Sequence, residues 1–592
     1  MYPFQVMKFE TLVELMEKAG QEHAANEALG TRKGPGRWEW IHYRDLKKMV
    51  DEARGGLAAL GVKKGDRIAI ISNNRVEWVV TAFAAYGLGG VLVPMYEAQA
   101  PEEWKFILND AGAKVVVAAT ETIYQTIRGF GGEVPSVTRV VCLNAASTEP
   151  DSFAKLLEAG RNSPAPLAPV APEDQAAQLY TSGTTGEPKG VQLTHKNLSS
   201  NVLASCSRFD FGPGDRSLAF LPWAHAFGQT AELYTFIYFG AALAINDEIP
   251  NLVANLAEVR PTILVAVPRI FNRIYDGVNK QMAEKPGIIR KLFKEGRALS
   301  ARLRQGEKLS FTEKLTHNLA DKLIFEKVRA KFGGRLRFVV SGSAALNTEV
   351  AELIDALGID VYEGYGLTET SPVVSVNYAG NRRIGSVGKA LPGVEIRIDH
   401  SATEDSTSGE IIVSGPNVMT GYYNRPEENA QVLLPDGSFR TGDMGYIDRD
   451  GFLFITGRIK EQYKLENGKY VVPSPLEEEL KLSPYIANVV LYGENQPHNV
   501  ALVVADVAAI LAWAKHHGIA LGNLETNPEV KKLLMGELER YSKTFKGYEK
   551  PKDLLIITED FTTDNGLLTP KLSVKRPNVI AKYGAALKKL YV

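Results

Sequence analysis

At 592 residues and 64.8 kDa the chain is too long for one small module, and at roughly 100–200 residues per domain it holds about four domain-sized units. Hydrophobic residues at 45% and charged residues at 23% place it among globular proteins and exclude disordered, collagenous and coiled-coil chains. Lys and Arg (68) balance Asp and Glu (69), so the broad positive field of a nonspecific nucleic-acid binder is missing and no nucleic-acid partner is expected.

The N-terminal residues reach Glu10 and Glu14 before any apolar run long enough for a secretion signal. Residues 43–60 read as a helix and Arg67-Ile-Ala-Ile-Ile-Ser as a buried strand. Residues 78–96 carry no charge and are long enough to span a membrane. Gly87, Gly89 and Gly90 instead divide them into a helix and a strand, Val91-Leu92-Val93, which Pro94 is expected to end. The two cysteines, Cys142 and Cys206, lack metal-ligand spacing, which points to a reducing, cytoplasmic setting; peripheral contact with a membrane stays open.

Further strands are predicted at Lys114-Val-Val-Val-Ala-Ala, Thr262-Ile-Leu-Val-Ala-Val and Leu336-Arg-Phe-Val-Val-Ser-Gly, each beside helical segments. Strands interleaved with helices imply parallel sheets. Residues 285–332 are basic and helical without strand signals, and read as an inserted helical hairpin. Residues 380–457 turn to short strands and turns, a small β-rich subdomain. The expected organisation is an α/β N-terminal domain (1–457) of two parallel-sheet subdomains plus the β-rich one, then a smaller α+β domain (458–592).

The strongest local signal is Tyr180-Thr-Ser-Gly-Thr-Thr-Gly-Glu-Pro-Lys-Gly-Val191. Glycines let backbone N–H groups approach an anion, hydroxyls add donors and Lys189 adds charge, so the loop suits phosphate. A Walker loop is excluded because Lys189 is followed by Gly190 and not by Ser or Thr. A G-x-S-x-G elbow is absent, and Gly364-Tyr-Gly366 lacks the third glycine of a dinucleotide fingerprint.

Downstream lie Leu221-Pro-Trp-Ala-His225, Ser341-Gly-Ser-Ala344, Tyr362-Glu-Gly-Tyr-Gly-Leu-Thr-Glu-Thr370, Thr441-Gly-Asp443 and Gly457-Arg-Ile-Lys460. In this order and spacing the set resembles the AMP-forming acyl-CoA synthetases of the adenylate-forming superfamily, over nearly the whole chain. The resemblance implies that a carboxylate joins ATP to give acyl-adenylate and pyrophosphate, followed by transfer to the thiol of CoA. It assigns the ATP phosphates to Thr181, Ser182, Gly183, Thr184, Thr185, Gly186 and Lys189. It gives the adenine to Tyr365, Gly342, Ser343 and Ala344, and the ribose to Asp443 and Arg458. Glu369 would hold Mg²⁺ with Thr368 beside the α-phosphate. His225 would stand at the wall of the acyl pocket, Lys460 would be the hinge of a mobile C-terminal domain, and Gly468 and Lys469 would face CoA.

One departure stands out. The family's C-terminal lysine, which neutralises charge during adenylation, falls at Ser573 in Thr569-Pro-Lys-Leu-Ser-Val-Lys-Arg576. Lys571, two residues earlier and on the same face of an extended segment, is the expected catalytic substitute, with Lys575 in reserve. The helical insertion and the Gly-Leu-Leu-Thr-Pro tail resemble the long-chain branch, so a long-chain fatty acid is the expected substrate; Phe236, Tyr238 and Phe239 are candidate tunnel linings, although an aromatic run at helical spacing is more often core. Alternatives are a ligase for another hydrophobic carboxylate, an acyl-AMP ligase serving a carrier protein, or a catalytically impaired nucleotide-binding protein. The expected working form is a monomer or homodimer.

Overall fold

The computed structural model describes residues 7–181, 187–304, 306–402, 407–562, 565–569 and 573–591. Its largest sheet has seven strands, in the order Gly421–Tyr422, Lys189–Thr194, Gln175–Thr181, Val91–Met95, Arg67–Ile71, Ala113–Ala118 and Arg139–Cys142. The strands from Gln175–Thr181 to Arg139–Cys142 run parallel. Lys189–Thr194 and Gly421–Tyr422 extend the sheet antiparallel. Val91–Met95 is buried at every position, as expected of a strand covered on both faces.

The uncharged segment is the helix Val76–Gly87 followed by this strand. Gly89, at φ +67°, makes the left-handed turn between them. Pro94 does not end the strand as expected: it pairs in register with Ile70. The neighbour on the other side, Gln175–Thr181, pairs with this strand only at Leu92, so a missing N–H at Pro94 breaks no ladder there. No described helix is long and apolar enough to cross a membrane.

A second sheet runs Ile263–Ala266, Phe338–Ser341, Asp360–Gly366, Val373–Val376 and Lys389–Ala390, its first three strands parallel and the rest antiparallel. A third joins Arg37–His42, Glu27–Gly34, Ala242–Ile245 and Arg216–Ala219. The β-rich region is an antiparallel sheet of Glu395–Asp399, Gly409–Ser414, Phe439–Ile447 and Leu453–Arg458.

The basic segment forms a helical hairpin. Helix Gly287–Arg304 lies antiparallel to Phe311–Ala320: Arg302 pairs with Glu313 at 2.5 Å and Ser300 Oγ meets His317 Nε2 at 3.0 Å. A Cβ at Gly296 would lie 2.5 Å from the Ala320 Cβ, so only glycine allows this crossing.

Beyond Arg458 the chain makes the hairpin Tyr463–Lys464/Tyr470–Val471. It then forms a three-stranded sheet, Ile486–Tyr492, Asn499–Ala505 and Pro551–Ile557, flanked by helices Val507–His517, Pro528–Tyr541 and Arg576–Lys588. Leu482 from this region joins the buried cluster that also holds Leu353, Ile354 and Phe271, and Asn347 Nδ2 donates to Glu479 at 2.6 Å.

Candidate functional site

The strands on either side of the Ser/Thr/Gly segment, Gln175–Thr181 and Lys189–Thr194, are antiparallel neighbours. Thr181 and Lys189 pair at their ends, and Ser182, Gly183, Thr184, Thr185 and Gly186 lie outside the described residues. Lys189 Nζ stands 3.6 Å from Glu428 and 5.3 Å from the ring centroid of Tyr422. The Tyr422 hydroxyl donates to Glu369 at 2.8 Å, so Lys189, Tyr422 and Glu369 form one continuous line of contacts. Burial, with the Glu369 charge beside it, raises the Tyr422 phenol, which keeps its proton to donate.

On the strand Gln175–Thr181, Tyr180 donates to Asp110 at 2.6 Å and accepts from Gln178 at 2.8 Å, while Arg425 reaches the other Asp110 oxygen at 3.1 Å. This network fixes the strand that leads into the loop.

Asp443 and Arg458 are opposed residues of adjacent antiparallel strands, and Arg458 Nε meets Asp443 Oδ1 at 2.9 Å. Tyr365, from the second sheet, donates its hydroxyl to Asp443 Oδ2 at 2.7 Å. Burial pushes the Asp443 carboxyl upward, opposed by the Arg458 charge and the Tyr365 hydrogen bond. The Asp443 charge in turn raises Arg458. Thr368 is buried in the short turn Thr368–Thr370 that also carries Glu369, so the adenine and metal candidates come from one strand-turn unit.

Gly342 lies against the Phe227 ring, where a Cβ would come within 2.9 Å. Ser343, at φ +71°, turns the chain outward, and Ser343 and Ala344 are exposed. The Phe227 N–H donates to His225 Nδ1 at 3.1 Å, which leaves the proton of a neutral His225 ring on Nε2. His225 thus lies two residues from the ring that covers Gly342. Phe236, Tyr238 and Phe239 are buried core: Phe239 packs on Phe211 with ring centroids 4.0 Å apart, and Tyr238 packs on Phe9.

Lys460 is exposed in the turn Ile459–Glu461, directly after the strand carrying Arg458. Gly468 (φ +80°) and Lys469 form the exposed tip of the hairpin that follows. Lys571 lies outside the described residues; Ser573 is exposed, its N–H donating to Thr569 Oγ1 at 3.2 Å. Lys575 is 3.9 Å from Glu103, on helix Pro101–Ala111 of the large sheet region.

The model of the AMP-binding enzyme family matches residues 16–423, and that of the AMP-binding enzyme C-terminal domain matches residues 460–592. The chain belongs to the AMP-binding enzyme family. This AMP-binding enzyme is 32% identical to the peroxisomal long chain acyl-CoA synthetase 7 of Arabidopsis thaliana, over 98% of its own length and 86% of the relative's. It is 34% identical to the long-chain-fatty-acid–CoA ligase FadD15 of Mycobacterium bovis, covering 94% and 93%. Its fold matches the adenylation domain of a carboxylate reductase from Mycobacterium chelonae with TM-score 0.80, at 23% identity, covering 98% and 91%.

The sequence patterns of this AMP-binding enzyme missed Tyr422, Glu428 and the Asp110–Tyr180–Arg425 network. Tyr422 sits on a two-residue strand too short to show a period, and Asp110 comes from a distant helix. Glu363 was missed too: it is buried on the same strand as Tyr365, and burial raises its carboxyl to about 7. Among the described residues no cluster of three or more His, Cys, Asp or Glu could hold a metal. A single carboxylate such as Glu369 fits Mg²⁺ that arrives on nucleotide phosphates, since Mg²⁺ keeps waters and needs only one or two protein oxygens.

Proposed function

We propose that this enzyme is a long-chain fatty acid–CoA ligase working in two half-reactions. A carboxylate oxygen of the fatty acid attacks the α-phosphorus of ATP, the bond to the β-phosphate breaks, and pyrophosphate leaves. The CoA sulfur then attacks the acyl carbon, the bond to AMP breaks, and acyl-CoA and AMP are released. Family membership and the two long-chain ligases among its relatives support this chemistry. The observation that carries it is the meeting of Tyr365, Arg458 and Asp443 from different sheets beside the turn bearing Glu369.

In this reading Asp443, an acceptor with lone pairs to spare, takes both ribose hydroxyls, with Arg458 beside it. The Tyr365 ring stacks on adenine against the backbone of Gly342, Ser343 and Ala344. Lys189 and the loop from Thr181 through Ser182, Gly183, Thr184, Thr185 and Gly186 cradle the β- and γ-phosphates, and Thr368 donates to the α-phosphate. Glu369 would hold Mg²⁺, which supplies positive charge shared between the phosphates. His225 borders the acyl group.

A C-terminal domain from 458 to 592 turns about Lys460, presenting a tail lysine for adenylation and then Gly468 and Lys469 for CoA. Lys571 is the proposed tail cation; Lys575, held near Glu103, is the alternative. The enzyme would act in the cytoplasm as a monomer or homodimer, touching membranes only peripherally. Incubating it with ATP, Mg²⁺, CoA and fatty acids of rising chain length tests this, the expected products being acyl-CoA and AMP, with long chains preferred.

A further inference from the structure

Residues 285–332 carry 13 Lys and Arg against five Asp and Glu, in a chain whose net charge is −1. The excess positive charge is therefore concentrated on the helical hairpin, while the rest of the chain is net acidic. Several of the acids present are already engaged: Glu307 and Glu313 pair with Arg302, and Asp321 with Arg329. Among the described residues Lys308, Lys314, Lys322 and Lys327 make no ion pair.

The same helix shows an apolar stripe to solvent. Phe311 is 83% exposed, Leu315 63%, Leu319 49% and Leu323 41%. They recur every four residues, so they lie on one side of a helix that continues through Asp321–Phe325 to Glu326–Ala330. At 1.5 Å per residue the stripe runs about 18 Å. Its opposite side is the one that packs, through Ala320, Ile324, Phe325 and Val328, into the protein core. A solvated helix normally turns polar groups outward, and an exposed apolar row rimmed by cations marks an interaction surface.

We infer that this face of the hairpin docks on an anionic lipid bilayer, with Phe311, Leu315, Leu319 and Leu323 entering the headgroup boundary and the lysines meeting lipid phosphates. Charge complementarity selects this occupant. A second copy of the chain would set the lysine-rich face against its own like charges, and a nucleic acid would leave the leucines in water. An amphipathic helix with a basic rim lying in the interface plane has this composition. The inference does not depend on the ligase reading, since binding to lipid can be measured with no substrate present.

The test is flotation of the full chain with phosphatidylcholine vesicles, with and without phosphatidylglycerol. Binding is expected to the anionic vesicles, weakened by salt. It should fall at least about tenfold in the variant Phe311→Ser/Leu315→Ser/Leu319→Ser, and also in Lys308→Gln/Lys314→Gln/Lys322→Gln/Lys327→Gln. Both variants should keep the thermal midpoint of the parent. Should either lose it, Phe311→Trp gives an independent reading: its added fluorescence should shift to the blue on anionic vesicles and be quenched by brominated lipid. The inference is overturned if the parent stays unbound, if the two variants bind as it does, or if lipid leaves the emission spectrum of the Phe311→Trp variant unchanged. It is overturned equally if sedimentation shows a dimer that the Ser variant abolishes, which would give the face to a second copy.

Discussion

The hydroxyl of Tyr365 donates to Asp443 Oδ2 at 2.7 Å, joining the second, mixed sheet to the antiparallel β-rich sheet at a buried carboxylate. The two side chains come from positions far apart in sequence, and each holds the other in place. Asp443 is thereby aimed, and its second oxygen is met by Arg458.

Tyr365→Phe keeps the ring and removes only that donor. A hydrogen bond to a charged group contributes about 1.5–3 kcal/mol, so KM for ATP should rise about tenfold or more, with KM for the acid little changed. An unchanged ATP KM would separate the pair from nucleotide binding.

Glu363 makes stability depend on pH. Its folded carboxyl titrates at about 7 against an ordinary 4.5, so between those values the native protein holds a proton that the unfolded chain has lost. Stability contributed by the neutral form is therefore present at low pH and lost as pH rises through that window, by up to about 3 kcal/mol. Glu363→Gln should remove this dependence, so its melting midpoint should gain on the parent's from about pH 5 to about pH 8. Parallel profiles for the two proteins would contradict it.

Lys189→Ala should slow adenylation about 10²–10³-fold, the typical loss of one preorganised stabilising group, while sparing thioester formation from supplied acyl-adenylate. The two half-reactions measured separately decide this, and equal losses in both would remove Lys189 from the pyrophosphate.

Lys460→Pro should fix the backbone at the proposed pivot, since proline holds φ near −65°. With the tail positioned near Glu103, as Lys575 is here, adenylation should persist and transfer to CoA should fall. Full turnover of both steps would exclude the hinge.

Much of this site was legible in the sequence because glycine-rich turns and strand ends place their functional groups locally. The loop ending at Lys189 and the Tyr365–Glu369 unit sit in short segments whose composition announces a turn beside a strand, whereas Asp443, legible from its Thr-Gly-Asp signature, lies inside the strand Phe439–Ile447. Tyr422 and Asp110 were not legible, because each reaches the site only through pairing or packing with distant chain. Pro94 misled for a related reason: whether a proline ends a strand depends on which neighbour its missing N–H would have faced. An aromatic run at helical spacing such as Phe236 to Phe239 is more often core than tunnel lining, and Phe236 and Tyr238 pack against Phe211 and Phe9.

With serine at position 573, formation of an acyl-adenylate from a fatty acid is the step that decides what this chain does. Exchange of labelled pyrophosphate into ATP measures that step directly, without CoA. The expected result is exchange that requires a fatty acid, increases toward long chains and collapses in Lys571→Ala or, if the tail cation is the alternative, in Lys575→Ala. ATP binding without acid-dependent exchange, for every acid tried, would contradict it and leave a nucleotide-binding protein that has lost the chemistry.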